Sequence, residues 1–417
     1  IKETFMNSTN IISKLIWGLG ILGAGSVLGC SGVDAQSSED SSQATFKLEE
    51  EDEVDDDNVI APDRFCKARD RNVQVNLSGL SWTRTPGVLV NWPNMPGDGQ
   101  NNVEGPTWHN GALYYSNLGP GNAAVMWRLE PGSVATKFID VAKGGTNGNV
   151  VNFQGKLLSA RQLDGSITSF KWNNPEKKPK TIAGLYNDRP FNAPNDLTVA
   201  RDGTIYFTDP LWNVPEGINP QLTRQGGGDF PDRITEGQRV YRVDTEGTVT
   251  ALDIRTTGEV LYDAAHPDGP PGGANLRNRP NGIMLSLDEK FLIVGGAEGA
   301  YRFNLSEDGE LSNGQRLFPQ TNQQAQAIQG PTDGMARDCA GNIYVTAGGP
   351  GGNRILVFSA RSELLGAIPA PAGVDFNTNV TFGGNDGKTL YVSVPNWGGP
   401  EAAGLFEIHM NIAGYPQ

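Results

Sequence analysis

Histidine and cysteine are scarce here, three of each in 417 residues. The histidines are His109, His266 and His409, and no Gly-x-Ser-x-Gly turn occurs, so a serine-hydrolase triad has little to be built from. Of the three, His409 reads as structural, His109 as a packing or turn residue, and His266 as the one with functional interest. Periodic helical stretches are missing after the first thirty residues, which disfavours a helical architecture. Clusters of Lys and Arg are missing as well. The formal net charge is −14, but it is unevenly placed: residues 33–57 hold eleven acids against the single Lys47, whereas 58–417 hold 35 acids and 30 bases. With no basic patch to displace counterions, nucleic acid is excluded as a partner.

Glycine, at 54 residues, and proline, at 27, are abundant, as many short strands joined by turns require. Before them comes an address. Met6 reads as a start, Lys14 supplies a sparse positive region, and Leu15 to Leu28 form an apolar run short for a membrane span but suited to a signal peptide. It closes in Val27-Leu28-Gly29-Cys30, which resembles a bacterial lipobox and implies cleavage before Cys30 and lipidation of its thiol. Ser31 after the cysteine resembles the outer-membrane sorting pattern of Gram-negative lipoproteins. The expectation is a signal peptide over 1–29, a lipidated Cys30 with a disordered acidic linker over 30–58, and one folded domain over 59–417. The protein would then sit in the bacterial cell envelope, on the outer membrane or the periplasmic face, touching membrane only through the anchor. Glu49-Glu-Glu-Asp-Glu-Val-Asp-Asp-Asp57 within the linker repels itself and lacks the glycine of a calcium loop, so it reads as a spacer. Cys66 and Cys339 remain, either as a disulfide or as two unrelated buried thiols.

Six segments then repeat one pattern. An acidic or amide residue (Glu104, Asn147, Asn195, Asn281, Asp333, Asn379) is followed seven or eight places on by a turn glycine or its stand-in (Gly111, Gly155, Gly203, Glu289, Gly341, Gly387), and then by a β-rich run such as Thr204-Ile-Tyr-Phe-Thr208 or Thr389-Leu-Tyr-Val-Ser393. The turn positions are spaced 44, 48, 86, 52 and 46 residues apart, the size of a four-stranded propeller blade. The spacing predicts an all-β, six-bladed β-propeller, with seven blades as the rival count and residues 59–99 packing across an edge or completing the ring. The first strand of each blade lines the channel, so the six oxygen-bearing residues converge on one mouth. Insertions at 210–237 and 263–280 would roof it, with Trp212, Trp397 and His266 as candidate walls. Two carboxylates among several amides suit a hard divalent cation, most simply calcium, and no ring position supplies the His or Cys that zinc prefers. The plainer alternative is that Asn-Gly and Asp-Gly are turn dipeptides and the channel amides satisfy one another through water.

Glu104-Gly-Pro-Thr-Trp108, Ala193-Pro-Asn-Asp196 with Asp202-Gly-Thr-Ile-Tyr-Phe-Thr-Asp-Pro210, Arg279-Pro-Asn-Gly282 and Thr332-Asp-Gly334 with Gly341-Asn-Ile-Tyr-Val345 resemble, in order and at blade spacing, the gluconolactonase, senescence marker protein and luciferin-regenerating enzyme family. The resemblance spans about residues 85–410. It implies a six-bladed propeller with a catalytic divalent metal, usually calcium, Glu104, Asn281 and Asp333 as direct ligands, and Asn195 reaching the substrate or a water on the ion. Ala193 stands where sugar-lactone members often carry arginine, which leaves the sugar open. Asp288-Glu289-Lys290 replaces an Asp-Gly turn and reads as an exposed, harmless change. The activity implied is opening of a small-molecule lactone, with Asp333 as general base or, alternatively, as nucleophile, and with Asn147, Asn195 and Asn379 toward the substrate. Two rival readings keep the fold: hydrolysis of organophosphate triesters on the same ring, and a non-catalytic binding platform stabilised by calcium. Oligomeric state is not legible.

Overall fold

Second strands of the repeat are buried along their whole length and mostly apolar, as in Ile343–Ala347 and Ile205–Asp209, where every residue is buried. A strand covered on both faces must lie between two sheets, so one repeat cannot fold without its neighbours. In the computed structural model the described residues are 66–67, 70–88, 102–118, 124–141, 145–162, 164–175, 179–210, 238–252, 254–256, 259–262, 279–297, 299–317, 330–348, 352–374, 376–395 and 403–415. The signal peptide, Cys30, the acidic linker, Trp212, His266 and Trp397 lie outside them.

Six antiparallel sheets form the six blades. Their innermost strands are Asn102–His109, Thr146–Val151, Leu197–Val199, Pro280–Leu285, Thr332–Arg337 and Asn379–Gly383. Each touches the next in order and the last touches the first, which closes the ring around a channel. Six apolar clusters fill the six gaps between blades; that between the third and fourth joins Tyr206 and Val240 to Ile283, Leu292 and Phe303. Each side chain so buried contributes about 1.5–3 kcal/mol. The predicted turn positions all hold a left-handed backbone, with φ of 79° at Gly111, 73° at Gly155, 100° at Gly203, 57° at Glu289, 82° at Gly341 and 70° at Gly387. That conformation explains why glycine recurs there. Glu289 does more than an exposed turn residue would: its Oε1 accepts the Arg201 N–H at 3.0 Å, tying the third blade's turn to the fourth's.

The ring closes across the two halves of the chain. Thr83–Arg84 forms the outer strand of the sixth blade, pairing antiparallel with Glu407 and Phe406, so the segment before the first blade does complete the ring. A second feature was not legible in sequence. Ile254–Thr256 and Glu259–Tyr262 make a hairpin added to the outer edge of the fourth blade, through Thr256 beside Gly314. That hairpin accounts for part of the 86-residue interval.

At the channel end away from Glu104 the chain is fastened twice. Cys66 and Cys339 are joined in a disulfide with Cα atoms 5.2 Å apart. Between them runs 411–415, held by Cys339 N–H to Ala413 O at 2.9 Å and Tyr415 N–H to Arg337 O at 2.9 Å. Because the bond spans 273 residues, removing it frees a long loop in the unfolded chain. Replacing both cysteines by serine is expected to cost about 3–5 kcal/mol, read from the urea midpoint of the double variant. An unchanged midpoint would show that the bond does not constrain the unfolded chain.

Candidate active site

The acid-or-amide plus glycine dipeptide proves not to be a turn. In four blades the pairing of first with second strand slips there, between Glu104 and Thr107, Thr146 and Asn149, Pro280 and Ile283, and Thr332 and Met335. Each slip is a β-bulge, which re-aims a side chain out of the ladder. The glycine is required by the neighbouring blade. A Cβ on Gly282 would stand 2.1 Å from the Asp333 carbonyl oxygen, and one on Gly334 would stand 2.0 Å from Asn379 Oδ1. In those four blades, bulge and missing side chain together let the strand start crowd toward its neighbour.

Hydroxyls lock that crowding. The Ser116 hydroxyl donates to Asn147 O at 2.9 Å, Thr208 to Asn281 O at 2.6 Å and Thr346 to Thr378 O at 3.2 Å, each tying one blade's second strand to the next blade's first. Their signal was present in the repeat: the β-rich runs of the first, third, fifth and sixth blades end in Ser or Thr. The fourth blade has Gly295 there, and its strap is reversed, with Gly296 N–H donating to Thr332 Oγ1 at 3.1 Å.

Glu104, Asn147, Asn195, Asn281, Asp333 and Asn379 are all buried at this level. A seventh residue, Asp196, joins them. It occupies the phase where four other blades have glycine, and its Oδ1 lies where a Cβ on Gly148 would be, only 2.4 Å away. That carboxylate accepts the Leu197 N–H at 2.9 Å and also bonds the Asn379 side chain, from the blade opposite in the ring. Asn379 Oδ1 is turned to its own strand, accepting the Val380 N–H at 2.8 Å. Three carboxylates therefore share the mouth, where the sequence repeat showed two.

Among the described residues, no cationic side chain offsets them. Burial pushes Glu104 up to about 8, with the charge of Asp196 adding to it. Burial likewise pushes Asp196 up to about 7. Asp333 is raised well above the ordinary carboxylate range by burial first, then by Glu104 and Asp196, against a hydrogen bond from Asn281. Asn281 Oδ1 is buried with no hydrogen-bond partner among the described residues, an arrangement that costs free energy unless something else binds it. Among the described residues, no three side chains of the His, Cys, Asp and Glu type group closely enough to hold a metal by themselves. A cation here must therefore draw on the amide oxygen too. An orphaned amide oxygen among carboxylates raised by burial first and then by one another's charge fits a hard, oxygen-seeking divalent ion.

The other histidine expectations resolve simply. His109 stacks on Trp172 with ring centroids 4.4 Å apart, at the far end of its strand from Glu104, and His409 ends the sixth blade's third strand, Gly404–His409, at an exposed position.

Residues 103–258 and 274–396 match the family described as the SMP-30/Gluconolactonase/LRE-like region. The chain is 29% identical over 307 residues to the gluconolactonase of Zymomonas mobilis, covering 70% of this chain and 75% of that one. It is 29% identical over 209 residues to the pentonolactonase XacC of Haloferax volcanii, covering 49% of this chain and 62% of that one. Among solved structures, the calcium-binding protein regucalcin of Agrobacterium tumefaciens superposes with a TM-score of 0.53 at 18% identity, over 80% of this chain and 96% of the other.

Proposed function

The chain belongs to the SMP-30/gluconolactonase/LRE-like family, and from that premise we propose that it is a calcium-dependent hydrolase that opens a lactone, most simply a sugar lactone such as glucono-1,5-lactone. The observation that carries this reading is the cluster of Glu104, Asp196 and Asp333 around the unpartnered Asn281 oxygen. The lactonase activities named for the Zymomonas and Haloferax relatives, and the calcium named for regucalcin, support it.

Glu104, Asn281 and Asp333 would hold the ion. Bound there, calcium supplies Lewis acidity toward a carbonyl and stabilises developing negative charge. The protein's own groups do the rest. Asp333 takes the proton from the attacking water, and burial first, then its neighbours Glu104 and Asp196, keep its proton affinity high enough for that task although it also serves as a ligand. Asp196, braced by the Leu197 N–H and Asn379, would add its negative charge to the set once the cation has displaced its proton. Asn147 and Asn195, buried at the same level, would meet a substrate hydroxyl, and the blade-to-blade hydroxyl straps hold the set in place.

The test is acid release from glucono-1,5-lactone and a pentonolactone, by protein stripped with chelator and then supplied with calcium. Calcium-restored turnover above the spontaneous rate is expected. Turnover of phosphotriesters alone would move the substrate class, and no turnover of any of them would leave a binding platform in place of an enzyme.

A further inference from the structure

A second cavity opens at the far end of the channel, where the inner strands of the third, fourth and fifth blades have turned outward. Its volume is about 670 Å³, within the range of small-ligand sites. Leu287, Phe291, Ile343 and the Cys66–Cys339 disulfide give it an apolar lining, and Arg71, Arg201 and Tyr415 line it too. Glu104, Asp196 and Asp333 are not among its lining; Arg337 is fully buried at this end of the strand that begins at Thr332, its guanidinium 4.6 Å from the Tyr415 ring centroid, with the C-terminal segment pinned to it.

The charge at this end is of the opposite sign from that at the mouth. Arg337 donates to the carbonyls of Leu285 and Ser286, and its Nε is buried without a partner among the described residues. Arg201 approaches the same tyrosine from outside, donating to the Tyr415 hydroxyl at 3.1 Å and to Leu287 O at 2.7 Å. Two guanidinium groups thus flank one phenol, that of Arg337 4.6 Å and that of Arg201 6.0 Å from the ring centroid. Glu289, 3.7 Å from Arg201, offsets part of this charge, and Asp288 on the cavity wall opposes a dianion. What such a cavity accepts is a single negative charge on an apolar body, with the planar guanidinium matching a carboxylate.

We propose that this cavity is a second small-molecule site, for a monocarboxylate with an apolar body, whose charged end is taken by Arg201 and Arg71 beside the Tyr415 hydroxyl and whose body rests on Leu287, Phe291 and the disulfide. The site is independent of the lactone chemistry and shares none of its residues.

Benzoate is the probe, with benzyl alcohol as its neutral counterpart, each titrated calorimetrically into the full, calcium-supplied chain. Benzoate is expected to saturate one site per chain. Arg201→Gln and Arg71→Gln, both at exposed positions, should each weaken it about tenfold or more, equivalent to about 1.4 kcal/mol, with lactone turnover unchanged. Any of four results overturns the proposal: no saturation below about 10 mM, a concentration matching only about 3 kcal/mol of binding; equal affinity in both variants; equal affinity for benzyl alcohol; or displacement of benzoate by lactone, which would place it in the mouth.

Discussion

Asp333→Asn is expected to lower the turnover number for lactone about a thousandfold, within the range lost when a general base is removed, while the variant folds and still binds calcium weakly. The substitution keeps shape and an oxygen donor, and removes a charge from a site where burial and two other carboxylates already oppose charge. For that reason the cation-free variant should melt no lower than the parent. Glu104→Gln is the informative companion. It removes a ligand without touching the proposed base, so its loss should be recovered in part by raising calcium, whereas that of Asp333→Asn should not. Steady-state rates across a calcium series separate the two. If Asp333→Asn kept a tenth or more of parental turnover at saturating calcium, the base would have to be another group, and Asp196 would be the first candidate.

Stability should answer to pH in opposite senses with and without the cation. Ordinary Glu and Asp side chains titrate near 4.5 and 3.8, whereas folded, cation-free Glu104 and Asp196 are held up to about 8 and about 7. Between those limits the folded chain binds more protons than the unfolded one, so its stability is whole below about pH 4 and is lost progressively as pH rises to about 8. The melting temperature of chelated protein should therefore fall by at least about 5 °C from pH 5 to pH 8. Calcium binds the deprotonated set and displaces those protons, so its affinity rises with pH. At a hundredfold excess over its dissociation constant it adds about 2.7 kcal/mol. The measurement is a grid of thermal melts in pH and calcium. Melting temperatures that ignore chelator and stay level across that pH range would mean that the three carboxylates are not the cation site.

Blade number, channel and turn positions were legible because they depend on period and on backbone sign, both of which the sequence writes directly: six positions needing φ above zero carry glycine five times. The convergence of Glu104, Asn281 and Asp333 followed from phase alone. Asp196 was harder to see, since it breaks the phase, standing where a repeat-based reading expects glycine, and only the space left by Gly148 shows that it is accommodated. Asn-Gly was ambiguous for a related reason. The same dipeptide serves a turn through its backbone freedom and a bulge through its missing side chain, and sequence does not say which neighbour will press against it. The hairpin at 254–262 escaped notice because its parallel contact to Gly314 is long-range and has no counterpart in the other blades.

The join between Thr83–Arg84 and Glu407–Phe406 has a temporal side. A blade that borrows its outer strand from far upstream cannot be finished until the chain has been made through His409, so the early blades wait with one flank uncovered. Contacts of such sequence separation form slowly, and uncovered strand edges invite pairing with other chains in the interval. For this molecule the hazardous stage is the unfinished ring, and the sixth blade decides how long it lasts.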